Sequence, residues 1–297
     1  MLEFMDKKHS FMNQQSDAAQ AVIIPYGLEA SVSYEGGTKH GPRAILDASP
    51  ELEFFDEFFL RECFQDYGLN TLNVPEIPTD LQAALDYLAK LVETALTQKH
   101  FPLILGGEHS LTAGAIRPFV KHHETLTILQ FDAHADLRDG YLDEHYSHAA
   151  AMRRCLDHPN VRLISLGIRN IAQEEYDFYQ KHQDRINIFW AHQKNEWDMQ
   201  KLLQLIGDDP VYLTFDVDAF DSSLMPATGT PEPGGLFWDD VIPILDIVSQ
   251  NAQIVGADIV ELAPRSGLHA CDFVAAKLAY KILNFVFRKH YSETSNF

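Results

Sequence analysis

The sequence predicts an α/β fold: a three-layer α-β-α sandwich with a central, mostly parallel sheet of about eight strands. Short runs rich in branched apolar residues recur at 21–25, 101–105, 126–131, 161–166, 186–190, 211–215 and 254–259. Their hydrophobicity is continuous rather than alternating, as expected of strands buried on both faces. Amphipathic stretches at 81–97, 196–206, 238–248 and 272–287 lie between them, so strand and helix alternate along nearly the whole chain.

Taken in order, residues 1–20 mix Lys, Asp, Ser, Asn and Gln without sustained periodicity and are expected to form a mobile or loosely attached arm. Gly36, Gly37, Gly41 and Pro42 then predict a tight loop that opens a helix at 43–48. Gly106 and Gly107 close the strand at 101–105. Residues 225–235, rich in Gly and Pro between a strand and a helix, predict an ordered surface loop. No linker divides the 297 residues, so residues 1–297 are expected to form a single catalytic domain, with 1–20 as its arm.

The formal net charge of −20 repels polyanions, and no basic cluster interrupts it, so neither nucleic acid nor an anionic membrane surface is expected as a partner. A small cationic substrate is favoured by the same field. Cys63, Cys155 and Cys271 are odd in number and widely spaced, which suggests reduced thiols in packing positions rather than disulfides or a zinc site. No apolar stretch reaches the ~20 residues of a membrane span, and the expected location is the cytoplasm.

The chemistry concentrates where strands end. In 131–136, Asp132, His134 and Asp136 alternate directly after an apolar strand, so continued extended geometry would place them on one face. Asp216 and Asp218 repeat the pattern after 211–215, and Gly106-Gly107-Glu108-His109-Ser110 brings His109 to the start of a helix. Each motif alone is compatible with a polar turn and capping acids. Together at the carboxyl ends of parallel strands, four carboxylates and two imidazoles are too costly to bury without cations. Ligands of Asp and His without Cys suit manganese, with iron, cobalt or nickel as alternatives, and charge balance implies a pair of ions sharing a bridging hydroxide.

With these motifs, and with Gly167-Ile168-Arg169, Ala227-Thr228-Gly229-Thr230-Pro231 and Asp258-Ile259-Val260-Glu261, the chain resembles the ureohydrolase family of arginases, agmatinases and formimidoylglutamases from about Ala21 onward. The resemblance implies two Mn2+ per chain, one held by His109, Asp132, Asp136 and Asp216 and the other by Asp132, His134, Asp216 and Asp218. It implies that Glu261 anchors a guanidinium group, that Asp136 passes a proton to the leaving amine and that His148 shuttles protons to solvent. In this reading a metal-bridging hydroxide attacks the guanidino carbon. Assembly as a homo-oligomer, a trimer or hexamer, is implied in the same way.

Within that family the chain looks more like agmatinases. Leu137-Arg138-Asp139-Gly140-Tyr141 replaces the Ser/Asn-rich loop of arginases, and Ala172 stands where an acid would hold an α-amino group. Agmatine, cleaved to putrescine and urea, is therefore the expected substrate. Aminopropylagmatine, guanidinobutyrate, arginine and formiminoglutamate stay open, as does a catalytically silent binding homologue.

Overall fold

The computed structural model describes residues 2–74 and 76–288. Among these described residues, eight strands form one sheet: β1 (Ala21–Tyr26), β2 (Leu69–Thr71), β3 (Phe101–Gly106), β4 (Leu126–Phe131), β5 (Val161–Ile168), β6 (Ile186–Trp190), β7 (Val211–Asp216) and β8 (Ile254–Val260). Their order is β2-β1-β3-β8-β7-β4-β5-β6, and every pairing is parallel. Pro25, which has no N–H to give, sits in β1 beyond the last β2 partner at Ile23, where the missing donor costs no ladder bond.

Helices cover both faces, because alternate residues of each buried strand point to opposite sides. One face carries Ile23, Leu103, Leu129, Leu213 and Phe215 against α1 (Gly41–Ala48), α8 (Met199–Ile206), α9 (Trp238–Asn251) and α10 (His269–Val286). The other carries Val22, Ile24, Ile104, Ile128 and Tyr212 against α3 (Leu81–Thr97), α4 (Thr112–Ala115), α5 (Arg117–His122) and α6 (Ala151–Cys155). Two further helices are α2 (Phe64–Tyr67), which leads into β2, and α7 (Gln173–Lys181), between β5 and β6. In α3, Leu81, Ala84, Leu85, Leu88, Val92 and Ala95 make the buried stripe, and Asp80 caps the start by accepting from Ala83 N at 2.8 Å. Cys63, Cys155 and Cys271 are all buried. Among the described residues, no helix is long and apolar enough to cross a membrane.

Two expectations need correction. The arm expected to be mobile or loosely attached is docked over its described part. Phe11 and Met12 are fully buried, Met5 N donates to Thr71 O at 2.8 Å, and Met12 N donates to Ser49 Oγ at 2.7 Å. Its apolar residues follow no period, yet they bury against β2 while side-chain oxygens satisfy the irregular backbone. The loop at 225–235 is ordered but lies only partly at the surface: Met225 and Ala227 belong to the core.

Candidate metal centre

Four neighbouring strands in the middle of the sheet, β3, β8, β7 and β4, end side by side, and each delivers acidic or imidazole groups to the same crevice. β3 is followed by His109, β4 by Asp132, His134 and Asp136, β7 ends in Asp216 with Asp218 just beyond, and β8 by Glu261. From β3 the chain crosses to β4, leaving room for β8 and β7 between them, and such a reversal of strand order opens a crevice at the strands' carboxyl ends. Two of the acids hold left-handed backbone that non-glycine residues seldom adopt, Asp136 at φ 52° and Glu261 at φ 65°. Strain of this kind persists where the surroundings dictate a side chain's direction.

The geometry brings together every residue that the sequence assigned to metal. His109 Nδ1 lies 3.1 Å from Asp132 Oδ2, 3.1 Å from Asp136 Oδ2 and 3.4 Å from Asp216 Oδ2. His134 Nδ1 lies 2.9 Å from Asp218 Oδ2 and 3.6 Å from Asp132 Oδ1. Two ligand groups result, His109/Asp132/Asp136 and Asp132/His134/Asp218, and they share Asp132. Backbone amides fix the carboxylates: His134 N donates to Asp132 at 2.6 Å, Ala133 N to Asp218 at 3.0 Å, and Asp218 N to Asp216 at 2.8 Å.

Buried His109 Nδ1 makes no aligned hydrogen bond despite three carboxylate oxygens around it, as a lone pair aimed at an ion would be placed. Charge points the same way. Burial, then the charge of Asp132, pushes Asp136 up to about 7, and burial pushes Glu261 up to about 8. Burial and the carboxylates of Asp218 and Asp132 also raise Asp216 well above the usual carboxylate range. Against burial, which opposes charge, Asp132, Asp136 and Asp216 raise His109, whereas His109 and His134 lower Asp132. A set of buried acids that can stay ionised only with added positive charge fits divalent cations, and its oxygen and imidazole donors fit the harder ones.

Around this cluster stands a shell of residues whose roles the sequence does not disclose. His109 Nε2 meets Thr214 Oγ1 at 2.8 Å, and Thr214 donates to fully buried Asp258 at 2.6 Å. Gln130 Nε2 donates to Asp132 at 2.8 Å. Arg169 donates to the carbonyls of Asp218, Phe220 and Glu232, so it clamps the loops behind the cluster.

A cavity of about 250 Å³ opens beside the cluster; its walls include His109, His134, Asp216, Asp218, Glu261 and His148. His148 is half-buried with Ser31 at Nδ1 and Ser33 at Nε2, 2.8 and 2.7 Å away. Burial and the neighbouring His134 and His109 hold its imidazole down at about 4. Glu261 Oε1 accepts from His109 N at 2.7 Å. Arg138, also in the wall, is tied to Glu174 at 2.6 Å and lies over the Tyr141 ring. Sequence reasoning missed Ser31, Ser33 and Glu175 as wall residues. The serines lie in a loop without a motif, and Glu175 reads as an ordinary first-turn acid of α7, where it accepts from Ala172 N at 2.7 Å.

The sequence profile of the arginase family matches residues 19–284. The chain is 35% identical to an N(1)-aminopropylagmatine ureohydrolase of Synechocystis sp., over 91% of this chain and 90% of that protein. It is 30% identical to an agmatinase of Bacillus cereus, over 86% of this chain and 88% of the relative. Among solved structures, the agmatine ureohydrolase of Thermoplasma volcanium superposes with a TM-score of 0.82 at 28% identity, covering 93% of this chain and 92% of its own. A profile match over most of the length, relatives of this similarity and the cluster of metal-ligating groups lead to one assignment: the chain belongs to the arginase family, whose ureohydrolases are metal-dependent hydrolases of guanidino compounds.

Proposed function

We propose that this chain hydrolyses agmatine to putrescine and urea, using two divalent cations, manganese foremost, held by His109, Asp132, Asp136 and Asp216 and by Asp132, His134, Asp216 and Asp218. The observation that carries the reading is the pair of ligand groups sharing Asp132. Cations held there would acidify a water and so supply a nucleophile near neutral pH.

The chain's own residues do the rest. Glu261 presents carboxylate lone pairs to the planar N–H pair of the guanidinium and orients its carbon toward the cluster. Water adds to that carbon, the bond to the alkyl nitrogen breaks, and Asp136 hands the departing amine its proton. His148, at the cavity wall, exchanges protons between the site and solvent.

An α-amino-acid head would find little here. Arg138 is engaged by Glu174, and Ala172 has no acid to offer, so a buried ammonium or carboxylate would lose its hydration without compensation. A decarboxylated cation suits the net charge of −20. Agmatine extended by an aminopropyl group is a second reading, favoured by the name of the 35%-identical Synechocystis relative.

Urea release by manganese-loaded protein from agmatine, aminopropylagmatine, arginine and guanidinobutyrate, together with formamide release from formiminoglutamate, decides among these readings. Turnover is expected with agmatine, and faster turnover of the aminopropyl compound would select the second reading. Urea from arginine or guanidinobutyrate alone would overturn the substrate assignment, and no turnover at all would favour a silent homologue.

A further inference from the structure

Loop 28–35 carries none of the family's chemistry-bearing motifs, yet it is bound to the site more tightly than a surface loop requires. Gly107 brings the turn after β3 directly against it: a Cβ on Gly107 would lie 1.9 Å from Leu28 O, and Glu108 N donates to that carbonyl at 2.8 Å. The buried Glu108 side chain completes the clasp. Its Oε2 accepts from Ala30 N and from Ser31 N, each at 2.6 Å, and its Oε1 accepts from Ser110 Oγ and, at 3.1 Å, from Ser31 Oγ.

Ser31 turns this clasp toward His148. Its Oγ lies 2.8 Å from His148 Nδ1 and 3.0 Å from His148 N, while Ser33 Oγ lies 2.7 Å from His148 Nε2. A serine hydroxyl has one proton and two lone pairs. If that proton goes to the Glu108 carboxylate, the lone pairs accept the backbone N–H and the Nδ1–H of His148, and every contact at Ser31 is satisfied. Nε2 then keeps its lone pair and accepts from Ser33. The opposite assignment spends the Ser31 proton on Nδ1 and leaves two acceptor oxygens, Ser31 Oγ and Glu108 Oε1, facing each other unbridged.

We infer that Ser31, held by Glu108, is a positioning residue for His148, fixing its Nδ1–H tautomer and aiming Nε2 at the cavity as the nitrogen that exchanges protons. The inference rests on the role proposed above for His148. It makes loop 28–35 a working part of the site and assigns Glu108 to its placement. Tyr141 meets the His148 ring edge to face at 5.9 Å and limits its tilt from another side.

The test compares Ser31→Ala, Ser31→Thr, His148→Asn and the double variant Ser31→Ala/His148→Asn in the manganese-loaded full chain, with kcat, KM, metal content and melting temperature measured for each. Ser31→Ala is expected to lower kcat by about tenfold, a part of what general acid-base groups contribute, with KM within about twofold and metal content unchanged. Ser31→Thr keeps the hydroxyl and is expected to recover most of the loss. The double variant is expected to be no slower than His148→Asn alone, because a partner of an absent imidazole has nothing left to position. An unimpaired Ser31→Ala beside an impaired His148→Asn overturns the positioning role alone. Additive losses, or loss of metal or fold in both Ser31 variants, overturn it in favour of a structural role. An unimpaired His148→Asn overturns the reading of His148 and, with it, the inference.

Discussion

His109 Nε2 and Thr214 Oγ1 lie 2.8 Å apart, and this contact decides which nitrogen of the imidazole faces the cluster. Asp258 accepts from the hydroxyls of Tyr212, Thr112 and Thr214 at 2.8, 2.9 and 2.6 Å, so the Thr214 proton is committed to it. Thr214 Oγ1 can then only accept from His109, which fixes the Nε2–H tautomer and leaves Nδ1 as a lone pair among Asp132, Asp136 and Asp216.

Thr214→Val removes that acceptor without changing side-chain volume much. Manganese affinity, read by titration against a competing chelator, is expected to fall about 10- to 100-fold while the fold persists. Unchanged affinity would mean that packing alone orients the ring.

His148→Asn is expected to slow urea release by roughly a hundredfold, within the range for a lost proton-transfer group, with metal content per chain unchanged. Loss of metal would place His148 among the ligands instead. Elemental analysis beside the kinetics separates the two outcomes.

Far from the cluster, Asp56 and Lys281 form an ion pair of 2.8 Å with both side chains withdrawn from water, and Asn284 donates to the same carboxylate at 2.7 Å. Asp56→Ala is expected to destabilise the protein by about 1.5–3 kcal/mol in urea melts, because Lys281 would lose its fully buried partner and keep only the exposed carboxylate of Glu57, 2.7 Å away. Burial alone would raise the Asp56 carboxyl, but Lys281 and Asn284 hold it below its ordinary value of 3.8. A group depressed by folding stabilises above its unfolded value, so this contribution is complete above about pH 4 and is lost as pH falls through the lower, folded value. A mutant whose deficit stays constant down into that acid range would contradict the assignment.

Gly107→Ala tests the clasp between the turn that carries His109 and loop 28–35. Its Cβ would meet backbone, Leu28 O at 1.9 Å, which cannot swing aside as a side chain could. A cost of at least about 1–3 kcal/mol is expected, together with weaker metal binding, since His109 follows two residues later. Wild-type stability with wild-type affinity would show that the loop is free to withdraw.

Much of this was legible in the sequence for physical reasons. Strands buried on both faces write continuous apolar runs, and groups that share one face beyond such a strand recur every second residue, so Asp132, His134 and Asp136 stand out as a candidate ligand set. β2 does not, because Leu69-Asn70-Thr71 is short and carries no apolar run; it forms by pairing along β1. The arm packs through scattered residues such as Phe11 and Met12, which share no period that could mark them as core. Ser31 and Ser33 are beyond sequence reasoning for a related reason: a serine in a loop carries no mark of the distant histidine it will meet. Asp258 stood inside a recognised motif and Thr214 inside a recognised strand, but their hydrogen bonds become visible only once β7 and β8 are in register, with Thr214 opposite Asp258.

Side chains from the ends of β3, β4 and β7 are proposed to enclose a pair of divalent ions. Anomalous scattering from crystals grown with manganese measures this directly. Two peaks are expected, one beside His109 Nδ1 and one beside His134 Nδ1, with Asp132 between them. A cluster without anomalous density in manganese-saturated crystals, or peaks only at surface acids, would contradict the account.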